Sequence, residues 1–121
     1  MPSENNFGWE LILDLYECDP AAISSENMIR RYATELCDLL DMKPHGDPIT
    51  PYFGENQLHT KGYSLVQFIE TSSIVGHFSE YKRTVYINIF SCKAYDAKHA
   101  EKFTKTFFGA QSVKSRFIVR S

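Results

Sequence analysis

The sequence predicts an α+β protein, a two-layer sandwich in which an antiparallel sheet carries two helices on one face. Most of the chain alternates apolar and polar residues with the period of two that is typical of strands. Two segments instead repeat their apolar residues at helical spacing. The order of these segments is strand, helix, several strands, helix and strand, which favours an antiparallel sheet over a parallel one.

Length and composition indicate one globular domain that spans residues 1–121. The hydrophobic share of 43% is normal for such a domain, and the formal net charge of −2 gives no support for nucleic-acid or membrane-surface binding. No apolar run approaches the roughly 20 residues of a membrane span, and the polar first residues do not resemble a signal peptide. We therefore expect a cytoplasmic protein.

The first strand and the first helix follow from their periods. Trp9 to Cys18 alternates and places its most apolar residues on one face, while Ile12 and Tyr16 on the other face suggest that a partner subunit covers it. Ser24 or Ser25 can cap the helix that follows. The apolar stripe of this helix contains Ile29, Tyr32, Ala33, Leu36, Leu39 and Leu40.

The segment from Lys43 to Lys61 has no sustained period and holds three prolines and two glycines. A short strand is expected around Ile49 to Phe53. Long loops in small domains are often functional, but a plain surface crossing is an equally open interpretation.

Three strands are predicted in the second half, at Tyr63 to Thr71, Ser73 to Ser79 and Thr84 to Cys92. The polar tetrad Glu80 to Arg83 has the size of a hairpin turn. The first two of these strands are separated by a break at Thr71-Ser72-Ser73.

The chain ends with a second helix and a last strand. Asp96 can cap the helix, Gly109 can stop it, and Ser112 to Arg120 alternates as a strand. The predicted inner stripe of the helix contains Ala97, Ala100, Phe103 and Phe107.

Cysteine and histidine usage predicts neither a disulfide framework nor a metal site. The chain has three cysteines and four histidines, without CxxC or HxxxH spacing. Cys37 flanks the apolar stripe of the first helix and is interpreted as a buried, inert thiol.

Ser72, His77 and Cys92 together form a candidate catalytic set. A serine at a strained strand break can attack the preceding carbonyl, which converts the amide into an ester. A base such as histidine can then remove the serine Cα proton, and β-elimination cuts the chain. The dehydroalanine that remains hydrolyses to a pyruvoyl group, a ketone that can form a Schiff base with an amine substrate. A cysteine can later return a proton to the substrate carbon.

Several motifs in register resemble the short, prokaryotic-type S-adenosylmethionine decarboxylases, which are made as proenzymes and carry a pyruvoyl group. LYECD at Leu15 to Asp19 resembles a strand end of that family, and Gly62-Tyr63-Ser64 resembles its Gly-x-Ser. The spacings from Ser72 to His77 and from His77 to Cys92 also agree without gaps.

The resemblance implies a role for each matching residue. Ser72 would be the pyruvoyl precursor, and cleavage between Thr71 and Ser72 would give chains 1–71 and 72–121. His77 would be the processing base, Ser64 would hydrogen-bond the cleavage intermediate, and Cys92 would be the proton donor in decarboxylation. The implied fold is the same α+β sandwich, working as a homodimer with active sites near the subunit interface.

Two departures lie at the cleavage site. The family has Glu before its cleavage serine, whereas this chain has Thr71, with Glu70 one place earlier. The acyl shift uses only the backbone carbonyl, so Thr is chemically permissible. Ser73 follows where the family has His and is a rival cleavage site, although it breaks both spacings.

The implied nucleoside pocket departs further. The carboxylate that would grip the ribose falls at Tyr81 by strict spacing, with Glu80 one residue away, and a bulge could restore it. The aromatic that would stack on adenine falls near Leu58, although Tyr52 and Phe53 lie close in sequence. Phe78 lies within the same motif and is a further substrate-binding candidate.

Three functions therefore remain open. The first is decarboxylation of S-adenosylmethionine, which supplies aminopropyl groups for spermidine synthesis. The second is pyruvoyl-dependent decarboxylation of another amino acid. The third is an unprocessed, non-catalytic relative that binds a ligand or a partner subunit.

Overall fold

A computed structural model describes residues 6–121. Within that range the chain forms six strands, three α-helices and a short 3₁₀ turn at Leu58–Thr60. In chain order the elements are β1 (Gly8–Tyr16), α1 (Pro20–Ile23), α2 (Glu26–Leu39), β2 (Tyr52–Phe53), β3 (Gly62–Ile69), β4 (Ser72–Ser79), β5 (Thr84–Ser91), α3 (Ala97–Phe107) and β6 (Ser112–Arg120).

The strands form one antiparallel sheet in the order β2-β3-β4-β5-β1-β6. Strands β3, β4 and β5 follow one another through tight turns, and β1 and β6 complete the sheet beside β5. The helices pack on one face, so the predicted two-layer α+β sandwich is confirmed.

The core lies between this face and the helices α2 and α3. Leu11, Leu13 and Leu15 are buried, as the alternation of β1 predicts. Tyr32 of α2 is fully buried, and its hydroxyl lies 2.8 Å from that of Thr104 in α3. An unpaired hydroxyl there would cost about 1–3 kcal/mol, so this bond ties the two helices together.

Helix termini follow side-chain capping. Of the two predicted caps for α2, Ser25 is the one used, since its hydroxyl accepts from the backbone N–H of Met28. Asp96 caps α3 as predicted. The single-turn helix α1, which Asp19 caps, was not predicted from the sequence.

Two predicted details of packing and chain reversal differ from the structure. The inner face of α3 is centred on Ala100 and Thr104, while Phe103 and Phe107 are only partly buried. The side chain fully buried beyond the helix is that of Phe108. The chain reversal between β3 and β4 uses Glu70 and Thr71, so that Ser72 is already part of β4.

The irregular segment before β3 runs along the edge of that strand. Ile49 pairs with Val66 by two backbone hydrogen bonds of 2.9 Å, and Pro44 bridges to Ile69. The short strand predicted around residues 49–53 is thus reduced to β2 and this bridge. Proline has no backbone N–H to donate. The segment therefore covers the edge of β3 but does not itself present a regular strand edge to another chain.

No helix of the described part of the chain covers the opposite face of the sheet. Register places Val66, Val75 and Asn88 side by side on this face, with Ile12 next to Asn88. We call this surface the open face. Within residues 6–121, no helix has the length and apolar character needed to cross a membrane.

Candidate active site

The β3–β4 hairpin holds the predicted scissile bond. Ile69 lies opposite Ser72, so only Glu70 and Thr71 reverse the chain. Thr71 has a φ of 60°, in the left-handed region that β-branched residues rarely adopt. Both turn residues are exposed. The break before Ser72 is therefore a strained, solvent-accessible turn.

Ser72 and Cys92 lie in one group at this end of the sheet, which we call the cleavage cluster (Thr71, Ser72, Ser91, Cys92). The Ser72 hydroxyl donates to the hydroxyl oxygen of Ser91 at 3.1 Å. Ser91 is buried and also accepts from the backbone N–H of Lys93 at 2.9 Å. The Thr71 hydroxyl contacts the Cys92 sulfur at 2.6 Å. The cluster thus brings together the predicted precursor and the predicted proton donor.

A flanking ion pair fixes the chain beyond Cys92. The Lys93 ammonium donates to the backbone carbonyl of Asp41 at 2.6 Å and lies 3.3 Å from its carboxylate. This contact connects the end of β5 to the residues that follow α2. Both side chains are exposed, so the pair contributes little to stability.

Ser64 and His77 form a second group, the imidazole pair, on the open face. The two residues are directly paired across β3 and β4, and the Ser64 hydroxyl lies 3.0 Å from His77 Nδ1. His77 is exposed, so its ring is accessible to a ligand or a second chain. A cavity of about 290 Å³ adjoins the pair and is lined by His59, Thr60, Tyr63, Ser64, His77, Phe78, Ser79, Lys82 and Tyr86.

The structure does not bring the imidazole pair to the cleavage cluster of the same chain. Ser72 and His77 are five residues apart in β4, which is roughly 16 Å along a strand. An odd separation also places their side chains on opposite faces. Accordingly, Ser72 shares its face with buried Ile74, whereas His77 is exposed on the open face. His77 therefore cannot serve Ser72 of its own chain in this conformation.

The rival cleavage residue, Ser73, has a different environment from Ser72. It faces Phe68 and Phe90 across the neighbouring strands and so belongs to the open face. It lines a shallow depression together with Glu10, Val75, Asn88, Phe90 and Arg120.

The weaker substrate-binding candidates fall into three environments. Glu80 follows β4, and its carboxylate accepts a hydrogen bond from the Tyr52 hydroxyl at 3.1 Å. Loss of hydration and this hydrogen bond raise the pKa of Tyr52, so the phenol stays protonated. Tyr81 and Leu58 are both exposed. The ring of Phe78 is not available on the open face, because it is buried in the core against Phe108 at a centroid distance of 5.3 Å.

Sequence reasoning assigns no role to Ser91 and names Tyr52 only as an aromatic near the position expected to stack on adenine. A serine before a cysteine in a strand carries no signal of its own. Its role depends on register, which sets it opposite Ser72. The bond from Tyr52 to Glu80 joins residues 28 positions apart and likewise depends on the tertiary fold.

The other two thiols are structural. Cys18 and Cys37 are buried, which confirms the prediction for Cys37. Burial raises the pKa of each thiol to about 11. Both therefore stay protonated near neutral pH, and Cys92 is the cysteine with partial exposure.

Comparison with known proteins gives the family. The S-adenosylmethionine decarboxylase family model matches residues 9–121. The fold is similar to the crystal structure of the adenosylmethionine decarboxylase from Aquifex aeolicus VF5, with a TM-score of 0.80 over 96% of this chain and 92% of that chain, at 16% sequence identity. A search of curated proteins found no match. Because the family model spans nearly the whole chain and the fold agrees, this chain belongs to the S-adenosylmethionine decarboxylase family.

Proposed function

We propose that the chain is a self-cleaving, pyruvoyl-dependent decarboxylase of S-adenosylmethionine that supplies aminopropyl groups for spermidine synthesis. The observation that carries this proposal is the cleavage cluster. It combines an exposed, strained turn before Ser72, a hydroxyl held by Ser91, and the Cys92 thiol in contact with Thr71. A strand-end serine with these neighbours has the nucleophile for self-cleavage and a thiol for later proton return, and it still needs a base.

Cleavage follows from the chemistry of Ser72. Its oxygen attacks the Thr71 carbonyl carbon, the C–N bond breaks, and an ester and a free amine result. Removal of the Ser72 Cα proton then expels the Thr71 carboxylate and leaves dehydroalanine. Water converts the dehydroalanine into a pyruvoyl group and ammonia. Residues 1–71 and 72–121 become separate chains that the sheet holds together, because β3 and β4 remain paired.

The residues present at the β4 end fit this group. Cutting the turn frees the first residue of β4 at an exposed point, with the partly exposed Cys92 in contact with the cut residue. Once formed, the pyruvoyl ketone supplies an electrophile and electron sink for an amino-acid substrate. Cys92 then acts as the proton donor to the substrate carbon.

The base comes from a second copy of the chain. His77 lies on the opposite face from Ser72 and roughly 16 Å away, so a second subunit must supply an imidazole to the cleavage cluster. The open face is the surface that carries His77, and it has an apolar centre at Val66 and Val75. We infer that two copies pack through their open faces, so that Ser64 and His77 of each approach the exposed Glu70–Thr71 turn of the other, where the Ser72 backbone begins.

The substrate proposal depends on the family and on the carboxylate of Glu80. A carboxylate can accept hydrogen bonds from both ribose hydroxyls, and Tyr52 holds Glu80 in place at the end of β4. Glu80 directly follows β4, the strand that carries His77. This favours Glu80 over Tyr81 as the ribose contact.

Intact-mass spectrometry of purified protein tests the cleavage. Wild-type protein should give two fragments that break between Thr71 and Ser72, with a pyruvoyl group at the start of the second. Ser72→Ala should remain one chain, and Ser73→Ala should be cut at the same place as wild type. A single full-length mass after long incubation would instead support the unprocessed, non-catalytic relative.

A second assay tests the substrate. Release of labelled carbon dioxide from S-adenosylmethionine should exceed release from ornithine, arginine and lysine. The opposite order would support a pyruvoyl decarboxylase of another amino acid. Glu80→Gln should raise KM for S-adenosylmethionine with little change in cleavage.

A further inference from the structure

The backbone of Thr71 is unusual among the positive-φ residues of this chain. Four non-glycine residues in the described range have positive φ: Glu17, Asp41, Thr71 and Arg83. Thr71 is the β-branched one, and a branched Cβ fits poorly beside the carbonyl in the left-handed region. It is also the residue whose carbonyl would be attacked. The strain therefore lies at the proposed scissile bond.

The surrounding sheet keeps Thr71 in this conformation. Strands β3 and β4 are paired without a break from Ile69 opposite Ser72 to Ser64 opposite His77. The turn between them is therefore limited to two residues. Ser72 is also paired with Ser91 on its other side. Strained residues persist where neighbouring structure fixes the backbone on both sides. A two-residue turn between two fixed strands meets that condition.

We propose that this strained turn accelerates self-cleavage, so that Thr71 is a positioning residue for the attack by Ser72. The inference rests on the proposed function. In the amide, the Thr71 carbonyl carbon is linked to the Ser72 Cα through one nitrogen. In the ester, the link runs through the Ser72 oxygen and Cβ and is one bond longer. The longer link lets Thr71 leave the left-handed region, so strain present in the amide is released as the ester forms.

The effect of the Thr71 hydroxyl on cleavage has to be distinguished from the effect of the Thr71 backbone conformation. Its hydroxyl donates to the Glu70 carbonyl at 2.6 Å and touches the Cys92 sulfur. Valine keeps the branched Cβ and removes the hydroxyl. Glycine removes both and adopts positive φ freely. The pair Thr71→Val and Thr71→Gly therefore distinguishes backbone strain from hydroxyl chemistry.

Cleavage rates are measured on freshly made protein from cell-free translation, with the two fragments followed by mass. Thr71→Gly should slow cleavage by about 5- to 30-fold, the factor that corresponds to the cost of a left-handed residue. Thr71→Val, which keeps the branched Cβ, should cleave faster than Thr71→Gly by about the same factor. Glu17→Gly is the matched control, since Glu17 is exposed and has a φ of 53° but lies far from the scissile bond in sequence. It should cleave at the wild-type rate.

A second measurement detects the strain without any cleavage. In the Ser72→Ala background, Thr71→Gly should raise the thermal unfolding temperature relative to Ser72→Ala alone, because the strain is removed from the folded state. Equal or lower unfolding temperatures would overturn the inference, as would Thr71→Gly cleaving as fast as wild type. Thr71→Val slowing as much as Thr71→Gly would assign the effect to the hydroxyl and would also overturn it. Failure of wild-type protein to cleave at all would instead refute the proposed function.

Discussion

Ser72 and His77 belong to the same strand, but their side chains lie on opposite faces of the sheet. The Ser72 hydroxyl is held by Ser91, and the His77 imidazole is held by Ser64. Each predicted catalytic residue thus has its own partner, and neither partner is shared. A reaction that needs both must combine two copies of the chain.

Hybrid dimers test this arrangement directly. Ser72→Ala keeps His77, and His77→Ala keeps Ser72. Alone, the Ser72→Ala chain should stay intact, and the His77→Ala chain should stop at the ester, which hydroxylamine would cleave. When the two are co-expressed with different tags, the His77→Ala chain should be processed, because its partner supplies the imidazole.

The control for this experiment is co-expression of His77→Ala with a chain that carries both substitutions. That mixture has no imidazole at position 77 and should give no processed chain. Normal processing of His77→Ala on its own would contradict the role of His77. Absence of processing in the first mixture would contradict its action across the interface.

The open face can be tested by a single charge at its centre. Val75→Asp places a carboxylate among apolar residues that would be buried between two sheets, so we expect a folded monomer with little or no cleavage. Val119→Asp is the matched control, because Val119 is 49% exposed on the side of the sheet that carries the helices. Light scattering coupled to size exclusion gives the molecular mass of each variant. A dimer that persists in Val75→Asp would exclude the open face as the interface.

Cys92→Ala should separate cleavage from turnover. The acyl shift and elimination do not use the thiol, so we expect two fragments at the normal mass. Decarboxylation should fall by about 10²–10⁴-fold in kcat, which is typical for the loss of a general acid. Lys93→Ala is a neighbouring control whose side chain binds Asp41, and it should turn over normally. Full activity of Cys92→Ala would remove Cys92 from the donor role.

The pKa values of the buried thiols predict selective labelling. Because burial raises the pKa of Cys18 and Cys37 to about 11, both are neutral at pH 8 and shielded from reagents. A thiol-specific reagent should therefore modify one cysteine per native chain, at Cys92, and all three after denaturation. Peptide mapping identifies the modified residue. Rapid labelling of Cys18 in native protein would disagree with its burial.

The same two thiols make stability depend on alkaline pH. In the unfolded chain they lose their protons near the ordinary value of 9.0, whereas in the folded chain they keep them until about pH 11. Between these values the folded state binds more protons, so the free energy of unfolding should fall as pH rises. Urea titrations from pH 8 to pH 11 measure this loss. Cys37→Ser should reduce the slope, because one of the two buried thiols is removed.

Local patterns were sufficient for the longer helices and strands of the fold. The alternation in Trp9 to Leu15 predicts the buried face of β1, and Ser112 to Arg120 predicts β6 with the bounds that the structure has. Period and capping are properties of neighbouring residues, so they can be read without the fold. The packing of Phe108 could not be predicted in this way, because its burial depends on where α3 meets α2 and β4.

In the candidate site, too, some features could be predicted from the sequence and others depend on the tertiary structure. Spacing and resemblance selected Ser64, Ser72, His77 and Cys92 from the sequence, since these are the residue types that the chemistry requires. The sequence also predicted the strand that carries His77, but it placed Ser72 in the break before that strand. Only the tertiary structure decided that Ser72 meets Ser91, that Thr71 is strained, and that the two groups lie on opposite faces. The physical reason is register: which residues face each other across a sheet depends on how whole strands align and pack, and no short stretch of sequence contains that information.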